Sequence, residues 1–171
     1  MSEQVILVDT TDKQIGLMEK MEAHQKGLLH RAFSVFVFNS KQELLLQQRA
    51  VSKYHSGGLW TNTCCSHPRE GEATEAAALR RLQEEMGISC PLIPAFHFIY
   101  KAPFDNGLTE HEYDHVFFGI SDAAPRINTS EVQAYKYMRL TDLAEEIKNT
   151  PHHYSAWLKD AFDKVVKHYT K

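Results

Sequence analysis

The sequence predicts an α/β (α+β) fold, a mixed β-sheet flanked by helices, on three observations. Short apolar runs recur between turn residues, as in Phe33-Ser-Val-Phe-Val-Phe38 and Glu43-Leu-Leu-Leu-Gln-Gln48, and such runs read as strands. Ala73 to Met86 is built instead from Ala, Leu, Glu, Gln and Arg, all strong helix formers. Ser155 to Tyr169 carries Leu158, Phe162, Val165 and Tyr169 at helical spacing, which gives that segment one apolar face.

Taken in order, Val5 to Val8 is a first strand, Thr10 to Gly16 a turn, and Leu17 to Gly27 a short helix or extended connection. Asn39 to Gln42 is a four-residue loop joining the strands at 33–38 and 43–48 into a hairpin. Gly57 to His67 is a Gly-rich approach and a short strand or turn, closed by Pro68, which cannot extend a central strand. The helix at 73–86 has Leu79, Leu82 and Met86 as its buried stripe, and Gly87 stands where a helix end favours positive φ. Pro91 and Pro94 mark a linker before the strand Phe96 to Tyr100; Asp105-Asn106-Gly107 is a turn. Leu108 to Ile120 contains a strand that is polar at its start and apolar from Val116. Asn128 to Ser130 turns into a strand from Val132 to Leu140, and Asp142-Leu-Ala-Glu145 has capping-box spacing that opens a short helix. Pro151 breaks the chain before the last helix.

At 171 residues the chain, 1–171, is expected to form a single domain, long enough to bury roughly two-thirds of its unfolded surface. A net charge of −3 speaks against a nucleic-acid partner. No apolar run approaches the ~18 residues that span a bilayer, and the first ten residues lack the basic and apolar regions of a signal peptide. Three cysteines, two of them adjacent, form no disulfide framework. A reduced, cytoplasmic setting is expected from that usage, and no membrane partner from the lack of a long apolar run.

Metal-type ligands sit in three pieces: His24 with His30, Cys65-Ser-His67, and Glu110-His-Glu112. In extended chain Glu110 and Glu112 project to one side. Any one piece alone defaults to solvated polar side chains. Together, three imidazoles and two carboxylates without thiolate suit Mn2+, Mg2+ or Zn2+. Cys65 has three readings: a small buried hydrophobe, a zinc thiolate with poor spacing, or a thiol activated by nearby cations. Cys64, facing the other way on a strand, fits the first.

Glu72 followed after seven residues by Arg80-Arg-Leu-Gln-Glu-Glu-Met-Gly-Ile88 resembles a degenerate Nudix box, the loop–helix–loop of diphosphate-processing enzymes. Ser66 stands where that box begins with Gly, and Arg81 where hydrolases carry a metal-binding Glu. A cation there favours holding a diphosphate over breaking it. Trp60-Thr-Asn-Thr-Cys-Cys-Ser-His-Pro68, Glu110-His-Glu112, His24, His30 and Arg49-Ala-Val-Ser-Lys53 together resemble type 1 isopentenyl-diphosphate isomerases, over about Lys20 to Trp157.

The resemblance implies a Nudix-like fold and an allylic proton shift interconverting isopentenyl and dimethylallyl diphosphate. It implies His24, His30, His67, Glu110 and Glu112 as ligands of a divalent metal. Cys65 and Glu112 become the proton-transfer groups, with Tyr100 hydrogen-bonded to the carboxylate, and Glu85 helps hold a magnesium on the substrate diphosphate. Lys20, Arg49, Lys53 and Arg81 match the diphosphate-binding cations, and Trp157 an aromatic pocket residue whose π-face can sit over a developing cation. No flavin is implied. The only partner expected is the small isoprenoid diphosphate, bound by a monomer or weak dimer. The rival reading is a Nudix diphosphohydrolase acting on a nucleotide or sugar diphosphate, against which Arg81 speaks.

Overall fold

The computed structural model describes residues 3–170; Met1, Ser2 and Lys171, at the ends of the expected domain span, lie outside it. Nine strands form one mixed sheet among these residues. They are β1 (Gln4–Val8), β2 (Gln14–Glu19), β3 (His30–Phe38), β4 (Glu43–Arg49), β5 (Trp60–Thr61), β6 (Cys64–Ser66), β7 (Leu92–Pro103), β8 (Thr109–Ile120) and β9 (Val132–Arg139). The helices are α1 (Lys20–Lys26), α2 (Thr74–Met86), α3 (Leu140–Asn149) and α4 (Ala156–Tyr169).

β3 is the strand on which the sheet is built, and it is buried on both faces. Phe33, Val35 and Val37 pack with Cys64, Leu82 and Met86 on the α2 side. Phe36 and Phe38 pack with Leu143, Leu158, Phe162 and Val165 of α3 and α4 on the other. Alternation along a strand thus feeds two cores, and helices cover both faces. β3 runs parallel to β8, from the pair His30–Glu112 to the pair Phe38–Ile120.

The hairpin expected at 33–48 closes only at its mouth, where Phe38 pairs with Leu44. Beyond that β4 turns away to pair along its length with β9. Thr63 fills the splay: its hydroxyl accepts from the Val37 N–H at 2.9 Å and donates to the Leu45 carbonyl at 2.6 Å. A side chain thereby supplies the missing ladder bonds, and the chain just after it, β6, joins β3 by pairing Cys65 with Ser34.

Several expectations are corrected. The segment read as a turn at 10–16 gives way to β2, which starts at Gln14 and pairs with β1. The linker at Pro91 and Pro94 is mostly strand: β7 starts at Leu92 and takes in Pro94 with a register shift before Phe96. Among the described residues its only partner strand is β8, so a residue without an N–H is tolerated on the free side. Leu79 is exposed, and the buried face of α2 is Ala77, Ala78, Leu82, Glu85 and Met86. Asp142 caps nothing: α3 begins at Leu140, directly after β9, with no side-chain cap. Gly87 does take positive φ (65°), and a Cβ there would meet Arg126 at 2.8 Å.

Candidate active site

The polar start of β8 faces the open ends of β3, β6 and β7, and this geometry gathers the site. Register sets Glu112 beside His30 on one neighbour and Tyr100 on the other. His24 arrives from α1, and His67 follows β6. Ligand atoms of His24, His30, His67, Glu110 and Glu112 all lie within 4.8 Å of one another, and all five residues are buried. His24 Nδ1 is 2.7 Å from the Lys20 carbonyl and His30 Nδ1 is 2.9 Å from that of Leu28. A carbonyl can only accept, so both Nδ1 atoms are donors and both Nε2 atoms face the cluster.

Those Nε2 atoms meet carboxylates. His24 Nε2 is 2.9 Å from Glu110 Oε2, His67 Nε2 is 2.9 Å from Glu112 Oε2, and His30 Nε2 is 3.4 Å from the same oxygen. His30 Nε2 is buried and has no hydrogen-bond partner among the described residues. An orphaned imidazole nitrogen among two carboxylates and two further imidazoles is a donor set without its acceptor. The residues fit a divalent cation. Burial opposes ionisation of Glu110, yet the His24 and His55 contacts hold its carboxyl well below the ordinary range.

The Tyr100 hydroxyl lies 2.7 Å from Glu112 Oε1 and 3.0 Å from Glu110 Oε1, so one proton tethers both carboxylates on the side away from the imidazoles. Beside Tyr100 and Ala102 pack Trp157 and the partly buried Cys65. Burial pushes the Cys65 thiol up, against the pull of Arg49, so it stays protonated at neutral pH. Cys64 is wholly buried in the α2-side core. Trp157 is also buried; its indole N–H donates to Asn62 Oδ1 at 3.2 Å, and the Arg49 guanidinium lies 5.0 Å from the ring.

Cys65, His67, Glu110, Glu112 and Trp157 line one cavity of about 460 Å³, which also holds Lys20, Arg49, Lys53, Arg81 and Glu85. Every residue singled out from the sequence as a ligand, proton-transfer group or cation lines it or belongs to the adjoining ligand cluster. The cations are pre-set by carboxylates. Lys20 pairs with Glu3 at 3.1 Å and Lys53 with Glu131 at 3.2 Å. Arg81 reaches Glu85 and Glu131 at 2.6 Å each and Glu84 at 2.8 Å. Buried Glu85 also accepts from the Gln47 amide at 3.0 Å. A box position that carries a carboxylate in hydrolases here holds a cation tied to three acids.

Sequence reading missed Tyr54, His55, Arg69, Arg80 and Glu131, all of which line the cavity. It also missed Asp114, buried beyond Glu112 and accepting from the Ser34 hydroxyl at 2.8 Å. The signal for Asp114 was present: the period of two through Glu110 and Glu112 continues to it. Glu131 had no signal, since only folding brings the start of β9 to Arg81.

A family model described as NUDIX domain matches residues 28–158. The isopentenyl-diphosphate Delta-isomerase of Pectobacterium atrosepticum is 54% identical over 162 residues, covering 95% of this chain and 90% of that protein. Isopentenyl-diphosphate Delta-isomerase 2 of Photorhabdus laumondii is 57% identical over 159 residues, covering 93% of this chain and 90% of that protein. Among solved structures, DR0079 from Deinococcus radiodurans superposes with a TM-score of 0.77 at 21% identity, covering 98% of this chain and 99% of its own. A MutT protein from Methanosarcina mazei gives 0.69 at 18% identity, over 84% of this chain and 96% of its own. At such identities the structural matches establish the fold alone.

Proposed function

The chain belongs to the NUDIX family and, within it, to the isopentenyl-diphosphate Delta-isomerases; we propose that its buried site performs their double-bond shift with Cys65 and Glu112 as the proton-transfer groups. The reaction adds a proton at C4 of isopentenyl diphosphate and removes one at C2, through a tertiary carbocation, to leave dimethylallyl diphosphate. The observation that carries the assignment is Glu112, tethered to Tyr100 at 2.7 Å and lining the same cavity as the protonated thiol of Cys65.

An alkene is a very weak base, so the acid must act in a dry, fixed position. Cys65 and Glu112 each hold or receive a proton next to the hydrocarbon tail. Which of them acts first depends on the direction of the reaction. Tyr100 keeps Glu112 oriented through its hydroxyl. Trp157 offers its π-face to the developing cation, an interaction worth roughly 2 kcal/mol when desolvated. A divalent cation held by His24, His30, His67, Glu110 and Glu112 would lower the basicity of Glu112 and lock its geometry; Mn2+, Mg2+ or Zn2+ suits those donors.

Lys20, Arg49, Lys53 and Arg81 bind and orient the diphosphate, and Glu85 would help hold a magnesium that neutralises its charge. No bond to phosphorus breaks. The free molecule works in the cytoplasm as a monomer or weak dimer and needs neither nucleic acid nor membrane; among the described residues no helix is long and apolar enough to cross a bilayer. Incubation with isopentenyl diphosphate and Mg2+ tests the reading, with the two isomers separated and free phosphate assayed. Appearance of dimethylallyl diphosphate without phosphate is the expected result. Phosphate release from a nucleotide or sugar diphosphate, with no isomer formed, would mark a diphosphohydrolase instead.

A further inference from the structure

We propose that His55 is a specificity-determining residue whose ring closes the end of the reaction cavity and limits the hydrocarbon tail to a short chain. The inference rests on the isomerase reading and adds to it what sets the size of the diphosphate ester accepted. Next to the 460 Å³ cavity lies a second, more open one of about 420 Å³. Among the described residues His55 is the one that lines both. It is therefore a partition between them.

The ring is held for that role by packing. Its side chain is 2% exposed. It stacks on Phe104 with centroids 4.5 Å apart and 14° between planes, and meets Trp157 edge-on at 5.7 Å. Nδ1 lies 3.0 Å from the Ser56 hydroxyl. The inner tip, Nε2, is buried without a hydrogen-bond partner, 3.3 Å from Glu110 Oε2. A buried histidine packed on aromatics is ordinarily a core residue, but a core residue does not separate two voids. The loop carrying it is pinned as well: a Cβ on Gly57 would meet the Val51 carbonyl oxygen at 2.6 Å. Behind the ring, Leu59, Pro103, Phe104, Tyr154 and Ala156 offer apolar surface. A longer tail that passed His55 would find contacts it could use.

The test measures binding of n-alkyl diphosphates of increasing chain length, which cannot isomerise, to the metal-loaded wild type, His55→Ala and His55→Phe by calorimetry. Each buried methylene is worth about a fourfold gain in affinity. Wild type should gain with length only up to the span of a prenyl tail and then lose. His55→Ala should continue to gain, binding chains two or more methylenes longer at least tenfold better than wild type. His55→Phe restores the wall without the Glu110 contact and should regain the wild-type cut-off. An unchanged cut-off in His55→Ala, or a Phe variant that behaves like the Ala variant, would overturn the proposal. Should His55→Ala fail to fold, Phe104→Ala removes the backing of the ring and must lengthen the cut-off in its place; no change there is equally fatal. A protein that shows the His55-dependent cut-off yet never converts isopentenyl diphosphate would refute the isomerase reading and leave the partition standing.

Discussion

Cys64 and Cys65 are adjacent on one short strand and face opposite ways, which makes them a matched pair for testing the proton-transfer assignment. Cys65→Ala removes the thiol from the cavity lining that it shares with Trp157. General acid–base groups contribute typically 10²–10⁴-fold, so turnover should fall by that factor, or about 3–5 kcal/mol of barrier at 1.36 kcal/mol per decade. Binding of the diphosphate should change little, because its cations come from other segments. Cys64→Ala instead trims a wholly buried sulfur among Phe33, Val35 and Met86. It should cost about 1 kcal/mol of stability, a fall in Tm of roughly 2–4 °C for a chain of this size, with turnover within a few-fold of wild type. Isomer conversion and thermal melts on both variants decide the matter. Equal activity losses, or full activity in Cys65→Ala, would take the thiol out of the mechanism and leave Glu112 as the sole proton-transfer group.

Exhaustive chelation should abolish turnover while far-UV dichroism persists, because two hydrophobic cores stand apart from the ligand cluster; metal content and Tm are followed together, and turnover without metal is the contrary result. Arg81→Glu should raise KM at least tenfold without creating an efficient hydrolase, since it places a third acid against Glu85 and Glu131; about 3 kcal/mol of stability should go with it, as a largely buried Glu85 loses its partner. Phosphate release at enzymatic rates would contradict this. Glu131 is held below its ordinary carboxyl value: burial opposes ionisation, but Lys53 and Arg81 prevail. Its contribution is thus present above the model-peptide value of 4.5 and lost as pH falls through the lower folded value. Glu131→Gln should lower Tm near neutrality and flatten its fall as pH drops below the ordinary carboxyl value; parallel Tm–pH curves would contradict that.

Much of this protein was legible in its residues. The Phe-Ser-Val-Phe-Val-Phe run predicted a strand, the composition of 73–86 a helix ending at Gly87, and the stripe of 155–169 a last helix. These are local properties, set by propensity and by side-chain periods of 2 and 3.6. Which residues would gather at one cavity was also legible, because they are rare residue types in a pattern whose resemblance to known isomerases covers most of the chain. What the sequence could not supply were facts about distance between remote segments. The expected 33–48 hairpin splays, since β3 pairs along its length with β8 and, at Phe33 to Val35, with β6, and Thr63 makes good the lost bonds. Leu79 left the α2 stripe because α2 packs its Ala77, Ala78 and Glu85 side inward, where Gln47 and Arg81 satisfy the acid. His55 and Glu131 read as ordinary loop residues until the fold set one between two cavities and the other against Arg81. Periodicity tells a side chain which way to point; only packing decides what it meets there.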